Sequence, residues 1–146
     1  MAAEASTIHA SAVLVGPKAV LIRGPSGSGK SRLAWQLLDG AVPFARLVGD
    51  DRVYLEVRAG QLLVRPSPAL AGLIEARGLG IRRLGHEPVA VVGLVMDLGS
   101  PDGERLQAPK AAQVALEGVI LTRLAVAPGA DPLPILLAFL GTEPAG

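Results

Sequence analysis

Cysteine is absent from this 146-residue sequence, which excludes disulfides and thiolate metal sites and fits the reducing cytoplasm. Aromatic residues make up only 3% of it, too few to build a base-stacking platform, and a formal net charge of +1 offers a polyanion no footprint. Nucleic acid is therefore not expected as a partner. Neither is a membrane. The late apolar stretch Leu133 to Leu140 is interrupted by Pro134 and is too short to span a bilayer. The N-terminus lacks the basic start and apolar core of a secretory signal. Lysine is scarce as well: Lys18, Lys30 and Lys110 are the only three. With two histidines and no cysteine, a transition-metal site has no support.

What is present begins with one of those lysines. Gly24-Pro25-Ser26-Gly27-Ser28-Gly29-Lys30-Ser31 fits G-x-x-x-x-G-K-[ST], the phosphate-cradling P-loop. Glycines let the backbone curl until several N–H groups face phosphate oxygens. The lysine adds a point charge near the β- and γ-phosphates, and the Ser31 hydroxyl can ligate Mg²⁺. The flanks agree with a real site. Ala19 to Ile22 is an apolar strand-type run, and Ser31 to Leu38 has helical periodicity, so the order is strand, loop, helix.

The remaining chain supports a single domain over 1–146, with residues 1–6 frayed. Thr7 to Val15 reads as one strand, turned by Gly16-Pro17 into the strand that feeds the loop. The helix stops near Asp39-Gly40. Arg46 to Gly49 is a short strand ending in Asp50-Asp51, and Val53 to Val57 with Gln61 to Val64 form a second hairpin. Ala69 to Glu75 is expected as a short helix closed by Gly78-Leu79-Gly80. Val89 to Leu98 is the most continuous β-type run and belongs in the centre of a sheet. Gly99 to Gln107 is loop, Val114 to Leu116 and Val119 to Val126 are strands, and Leu133 to Leu140 supplies a final helical turn or two. The fold class is α/β: a P-loop-containing mixed β-sheet with flanking helices.

Asp50-Asp51 at a strand end after the P-loop helix suits Mg²⁺ binding or acceptance of a nucleophile's proton. Alternation points the two carboxylates in opposite directions, so one of them should face a γ-phosphate. His9, taken alone, reads as a hydrogen-bonded strand residue, and His86 as loop with no role. Glu75-Ala76-Arg77 before Gly78-Leu79-Gly80 reads as a helix end with a glycine cap, and Glu104-Arg105 as surface charge.

Together these pieces resemble the catalytic domain of bacterial HPr kinase/phosphorylase. The matching set is His9 fifteen residues before Gly24, Leu47-Val48-Gly49-Asp50-Asp51, Glu75-Ala76-Arg77-Gly78-Leu79-Gly80-Ile81, and the Arg105-Leu106 pair, in the family's order. The resemblance implies the HPr kinase / PEP carboxykinase-like fold. It also implies an ATP- and Mg²⁺-dependent transfer of phosphate to a serine of the phosphocarrier HPr. Phosphates would lie on Gly24 to Ser31, and Mg²⁺ on Ser31 and Glu75. His9, Lys30, Asp50, Asp51 and Arg105 match positions the family counts as catalytic, with Asp51 preferred over Asp50 as the group that takes the serine proton. Long members form hexamers, so a homo-oligomer is possible on the same resemblance.

Two departures qualify the resemblance. Set against longer members, the resemblance implies that this sequence is short of their N-terminal domain and of most of their C-terminal helical region. The Pro-Val-Arg-Pro-Gly-Arg stretch linked to dephosphorylation is Ala125-Val126-Ala127-Pro128-Gly129-Ala130, with alanine at both arginine positions. Reverse phosphorolysis should therefore be weak or lost. A nucleotide-binding regulatory module with decayed catalysis and a small-molecule kinase are the competing expectations.

Overall fold

The computed structural model describes residues 6–104 and 112–145. Its elements are β1 (Ser6–Ile8), β2 (Ala10–Val15), β3 (Lys18–Arg23), α1 (Lys30–Gln36), β4 (Ala45–Gly49), β5 (Val53–Arg58), β6 (Gln61–Pro66), β7 (Leu73–Ala76), β8 (Gly80–Arg83), β9 (Ala90–Asp97), β10 (Gln113–Leu116), β11 (Val119–Ala125) and α2 (Pro132–Gly141). A π-type turn, Leu37–Ala41, ends the first helix where Asp39 and Gly40 leave helical geometry.

Nine strands form one mixed sheet in the order β1-β5-β6-β9-β3-β2-β4, with β11 added to β9 and β10 to β11. Strand β9 is its centre, as its unbroken apolar sequence leads one to expect. One edge of β9 pairs in parallel with β3. The other edge is divided between β6 (antiparallel, at Ala90 and Val91) and β11 (parallel, from Leu94 to Asp97). The two expected hairpins, β2–β3 around Gly16-Pro17 and β5–β6 around Ala59-Gly60, are both present.

Strands buried on both faces explain the apolar composition. Along β3, Ala19 and Leu21 pack into one core with Leu55, Leu62 and Val64. Val20 and Ile22 alternate into the other, beneath Leu33, Ala34 and Leu37 of the first helical segment and Leu136 of α2. Burial of each such aliphatic side chain contributes about 1.5–3 kcal/mol. Strands β3, β4, β9 and β11 run in the same direction. Their carboxyl ends, where α/β sheets commonly place ligands, lie on one side of the molecule.

Three sequence expectations are corrected. Thr7 to Val15 is two strands: the chain bends at His9, β1 pairs with β5, and β2 pairs with β3 and β4. Ser6 belongs to β1 and is paired with Leu55, so the last residue of the stretch expected to fray is held in the sheet. The helix expected over Ala69 to Glu75 is only a 3₁₀ turn, Pro68–Leu70, followed by β7. Gly72, at φ 76°, breaks any helical run, and the Gly78-Leu79 turn folds β8 back onto β7 as a separate two-stranded sheet.

Candidate active site

The loop from Gly24 to Gly29 leaves the carboxyl end of β3 and enters α1 at Lys30. Gly24 sits at φ 155°, and a Cβ there would come within 2.5 Å of Ser28 Oγ and 2.9 Å of the Leu98 carbonyl. Only glycine lets the loop turn this tightly against the end of β9. The Ser28 hydroxyl is buried in the loop without a hydrogen-bond partner and borders the cleft, which fits an anion's oxygen as acceptor. Lys30 donates from Nζ to the carbonyls of Gly24 (2.8 Å) and Pro25 (3.1 Å). Burial lowers its pKa from the ordinary value, against the charges of Asp51 and Asp50, which favour the ammonium form.

Asp50 lies beneath this loop and is buried. Its Oδ1 accepts from Ser11 Oγ at 2.5 Å, and Ser31 Oγ lies 2.9 Å from both of its carboxylate oxygens. The backbone N–H of Glu75 donates to its Oδ2 at 3.3 Å. A buried carboxylate is costly unless its oxygens are satisfied, and here neutral donors from three separate elements do so.

Asp51 is treated differently. The Arg52 N–H donates to the Asp50 carbonyl at 2.8 Å, closing a γ-turn with Asp51 in the middle at φ 68°. This is the strained hand of that turn, and for a non-glycine residue it costs about 1 kcal/mol or more. It carries the exposed Asp51 carboxylate to the cleft, where Oδ1 accepts from His9 Nε2 at 2.9 Å. Alternation along a strand is not what separates the two aspartates; the turn does it. The bend at His9 belongs to the same arrangement, since the next N–H, of Ala10, donates to the Asp51 carbonyl.

A cleft of about 1170 Å³ joins these parts. His9 and Asp51, the Pro25 to Ser31 loop, and Glu75 with Trp35 all border it, as do Ala127 to Asp131 on another wall. Glu75 reaches the cleft from a strand, not from the helix end expected for it. Ser31 and Glu75 offer hard oxygen donors of the kind Mg²⁺ takes, alongside phosphate and water oxygens. Arg105 lies outside the described residues.

The sequence reading missed several members. Ser11 is a lone hydroxyl in an otherwise apolar strand, a pattern that signals a buried polar partner. Trp35 donates from Nε1 to the Glu75 carbonyl at 2.8 Å, and the linear sequence gives no hint of it. Also missed was an ion network just outside the loop: Arg23 grips Asp97 with two bonds (2.7 and 2.8 Å), and Arg123 bridges Asp97 (2.5 Å) and Asp102 (2.8 Å). Burial pushes the Asp97 pKa up, but the bonds from Arg23 and Arg123 outweigh it and hold it below its ordinary value. Asp102, hydrogen-bonded by Arg123 and Ser100, is held at about 2.

Comparison with known proteins follows the same residues. The family model of the HPr Serine kinase C-terminal domain matches residues 1–85, which contain His9, the Gly24 to Ser31 loop, Trp35, Asp50, Asp51 and Glu75, but not Arg105, the Ala127 to Asp131 wall or the Asp97–Asp102–Arg123 part of the ion network. HPr kinase/phosphorylase of Mycoplasma mycoides is 40% identical over 73 residues, 50% of this chain and 22% of that protein. The Levilactobacillus brevis protein of the same name is 40% identical over 80 residues, covering 54% and 25%. The matched part thus spans about a quarter of the length of these relatives. In structure, the chain is similar to the Hpr(Ser) kinase/phosphatase from Coxiella burnetii. The TM-score is 0.75 at 23% identity, over 93% of this chain and 88% of that one, a likeness of fold.

Proposed function

The chain belongs to the HPr Serine kinase C-terminal domain family, and from that premise we propose that it is an ATP- and Mg²⁺-dependent kinase acting on a serine of an HPr-type phosphocarrier. The observation that carries the reading is the convergence of His9, the Gly24 to Ser31 loop, Asp51 and Glu75 on one cleft, with Asp50 locked beneath Ser31. In this reading the loop N–H groups, the Ser28 hydroxyl and Lys30 hold the donor's phosphates. Ser31 and Glu75 hold Mg²⁺, which supplies charge neutralisation on the phosphate oxygens. Asp50 fixes the Ser31 hydroxyl so that its lone pairs face the cleft.

Asp51 takes the proton of the attacking serine at the carboxylate its γ-turn presents, and His9 orients that carboxylate by its 2.9 Å bond. The oxygen–phosphorus bond to the serine forms as the bond to the leaving diphosphate breaks. Arg105 is the further cation that the family resemblance assigns to the transferring group. A cytoplasmic setting is part of the same proposal.

The reaction runs mainly forward. Ala127 and Ala130 border the same cleft as the Gly24 to Ser31 loop, which supports reading the two missing arginines as cations lost from the phosphate site. Without those cations, inorganic phosphate is poorly held for attack on phosphoserine. The test uses purified protein, Mg²⁺-ATP and the cognate HPr, with mass spectrometry for phosphoserine. No phosphoserine would refute the kinase reading. Brisk pyrophosphate release from serine-phosphorylated HPr in millimolar phosphate would refute the one-way part.

A further inference from the structure

Glu75 is carried by a two-stranded sheet that shares no ladder with the nine-stranded one. Something must therefore hold β7 in register with the loop and Ser31. Two polar bonds do this, and both use the backbone of Glu75 itself. Its N–H donates to Asp50 Oδ2 at 3.3 Å, and its carbonyl accepts from the Trp35 indole N–H at 2.8 Å. The N–H and C=O of one strand residue point to the same edge. At Glu75 that edge is turned away from β8 and towards α1 and Asp50. Ile74, the preceding residue, is buried in the same core cluster as Leu33, Ala34 and Leu37 of the first helical segment. The bond to Asp50 is long and the bond from Trp35 is short, so the indole is the better-formed of the two.

We infer that Trp35 is a positioning residue: by holding the Glu75 peptide against α1, it sets the Glu75 carboxylate beside Ser31 at the divalent-cation end of the cleft. This rests on the reading of Ser31 and Glu75 as Mg²⁺ ligands, and it adds a residue that touches neither nucleotide phosphate nor metal. It requires the indole N–H in particular, because an aromatic ring of similar shape would keep the packing and lose the bond. Trp35 is also the sole tryptophan and borders the cleft, so its fluorescence reports on this junction alone.

The experiment compares wild type with Trp35→Phe in the full chain. Nucleotide affinity in EDTA is measured by calorimetry, and then Mg²⁺ affinity of the nucleotide-bound protein. The expected result is EDTA affinity unchanged within about twofold and Mg²⁺ affinity weakened about fivefold, the equivalent of one hydrogen bond. In a Glu75→Gln background, Trp35→Phe should add less than about twofold, because the bond then positions no carboxylate. Amide exchange at β7 should also quicken in Trp35→Phe, and wild-type tryptophan emission should change when Mg²⁺ joins bound nucleotide. Equal Mg²⁺ affinities in wild type and Trp35→Phe would overturn the inference, as would an equal loss in EDTA, which marks a purely structural role. A wild type that binds nucleotide with no response to Mg²⁺ would instead sink the metal assignment on which the inference stands.

Discussion

Asp50 and Asp51 follow the end of β4, while Asp97 ends β9 and Asp102 lies just beyond it, at the same carboxyl side of the sheet. The partners differ in kind. Asp97 and Asp102 are held by the guanidinium groups of Arg23 and Arg123. Asp50 and Asp51 are held by hydroxyls, a backbone N–H and an imidazole. A carboxylate gripped by two arginines has its lone pairs committed and its charge neutralised, which suits it to tie three strand ends together. One held by hydroxyls and a backbone N–H, as Asp50 is, keeps its charge for a metal or a proton. On the proposed function, the contrast teaches how one end of a sheet can separate structural acids from chemical ones: by the type of donor brought to them, not by burial, since Asp50 is the most buried of the four.

The largest expected effect that would break this contrast is on the chemical pair. Asp51→Asn should lower phosphoryl transfer by about 10²- to 10⁴-fold, the usual worth of a positioned acid–base group, while leaving nucleotide affinity within about twofold. Steady-state transfer to HPr beside a calorimetric nucleotide titration checks this, and unchanged transfer would move the base to Asp50 or remove it. For the structural pair, Asp97→Ala leaves Arg23 without its bidentate acceptor. Because Arg23 remains 28% exposed, the cost should fall below the buried-pair range, at about 2–3 kcal/mol. Urea unfolding measures it, and a loss under 1 kcal/mol would show that the network contributes little.

Acid sharpens the same comparison. Asp97 and Asp102 are both held below the ordinary 3.8. A depressed carboxyl contributes its full stabilisation above its unfolded-state pKa and loses it as pH falls through the folded one. The network's contribution should therefore be complete above about pH 5 and fade as pH falls below about 4. The stability difference between wild type and Asp97→Asn should shrink over that window; a constant difference would refute the account. The smallest effect is expected from Ser11→Ala, which leaves Asp50 its bonds to Ser31 and Glu75. Stability should drop by about 1 kcal/mol, with transfer reduced less than tenfold, as thermal unfolding and initial rates would show.

How much of this was legible beforehand depends on the range of the interactions. The phosphate loop, its strand and its helix are set by residues adjacent in sequence, and the central place of β9 follows from an apolar run long enough to exclude an exposed edge. Ala69 to Glu75 is too short for periods of 2 and 3.6 to be told apart, so the sequence alone allows Glu75 a helix. Its strand exists because Gly72 turns the chain and Ile74 finds the core under α1. The family's motif still marked the residue, whatever element carried it.

The sequence by itself determined the strand–loop–helix around Gly24 to Ser31, the mixed α/β sheet and the family, because each is written in short runs of contiguous residues or in the order and spacing of such runs. Tertiary structure alone decided that Asp50 is buried under Ser11 and Ser31, that a γ-turn aims Asp51 at His9, and that Asp50 and Trp35 hold the backbone N–H and C=O of Glu75. The side-chain bonds among them join residues 19 to 42 positions apart. Hydrogen bonds between distant residues leave no periodic trace in a sequence; only the packing of the strands and of α1 brings their donors and acceptors within reach.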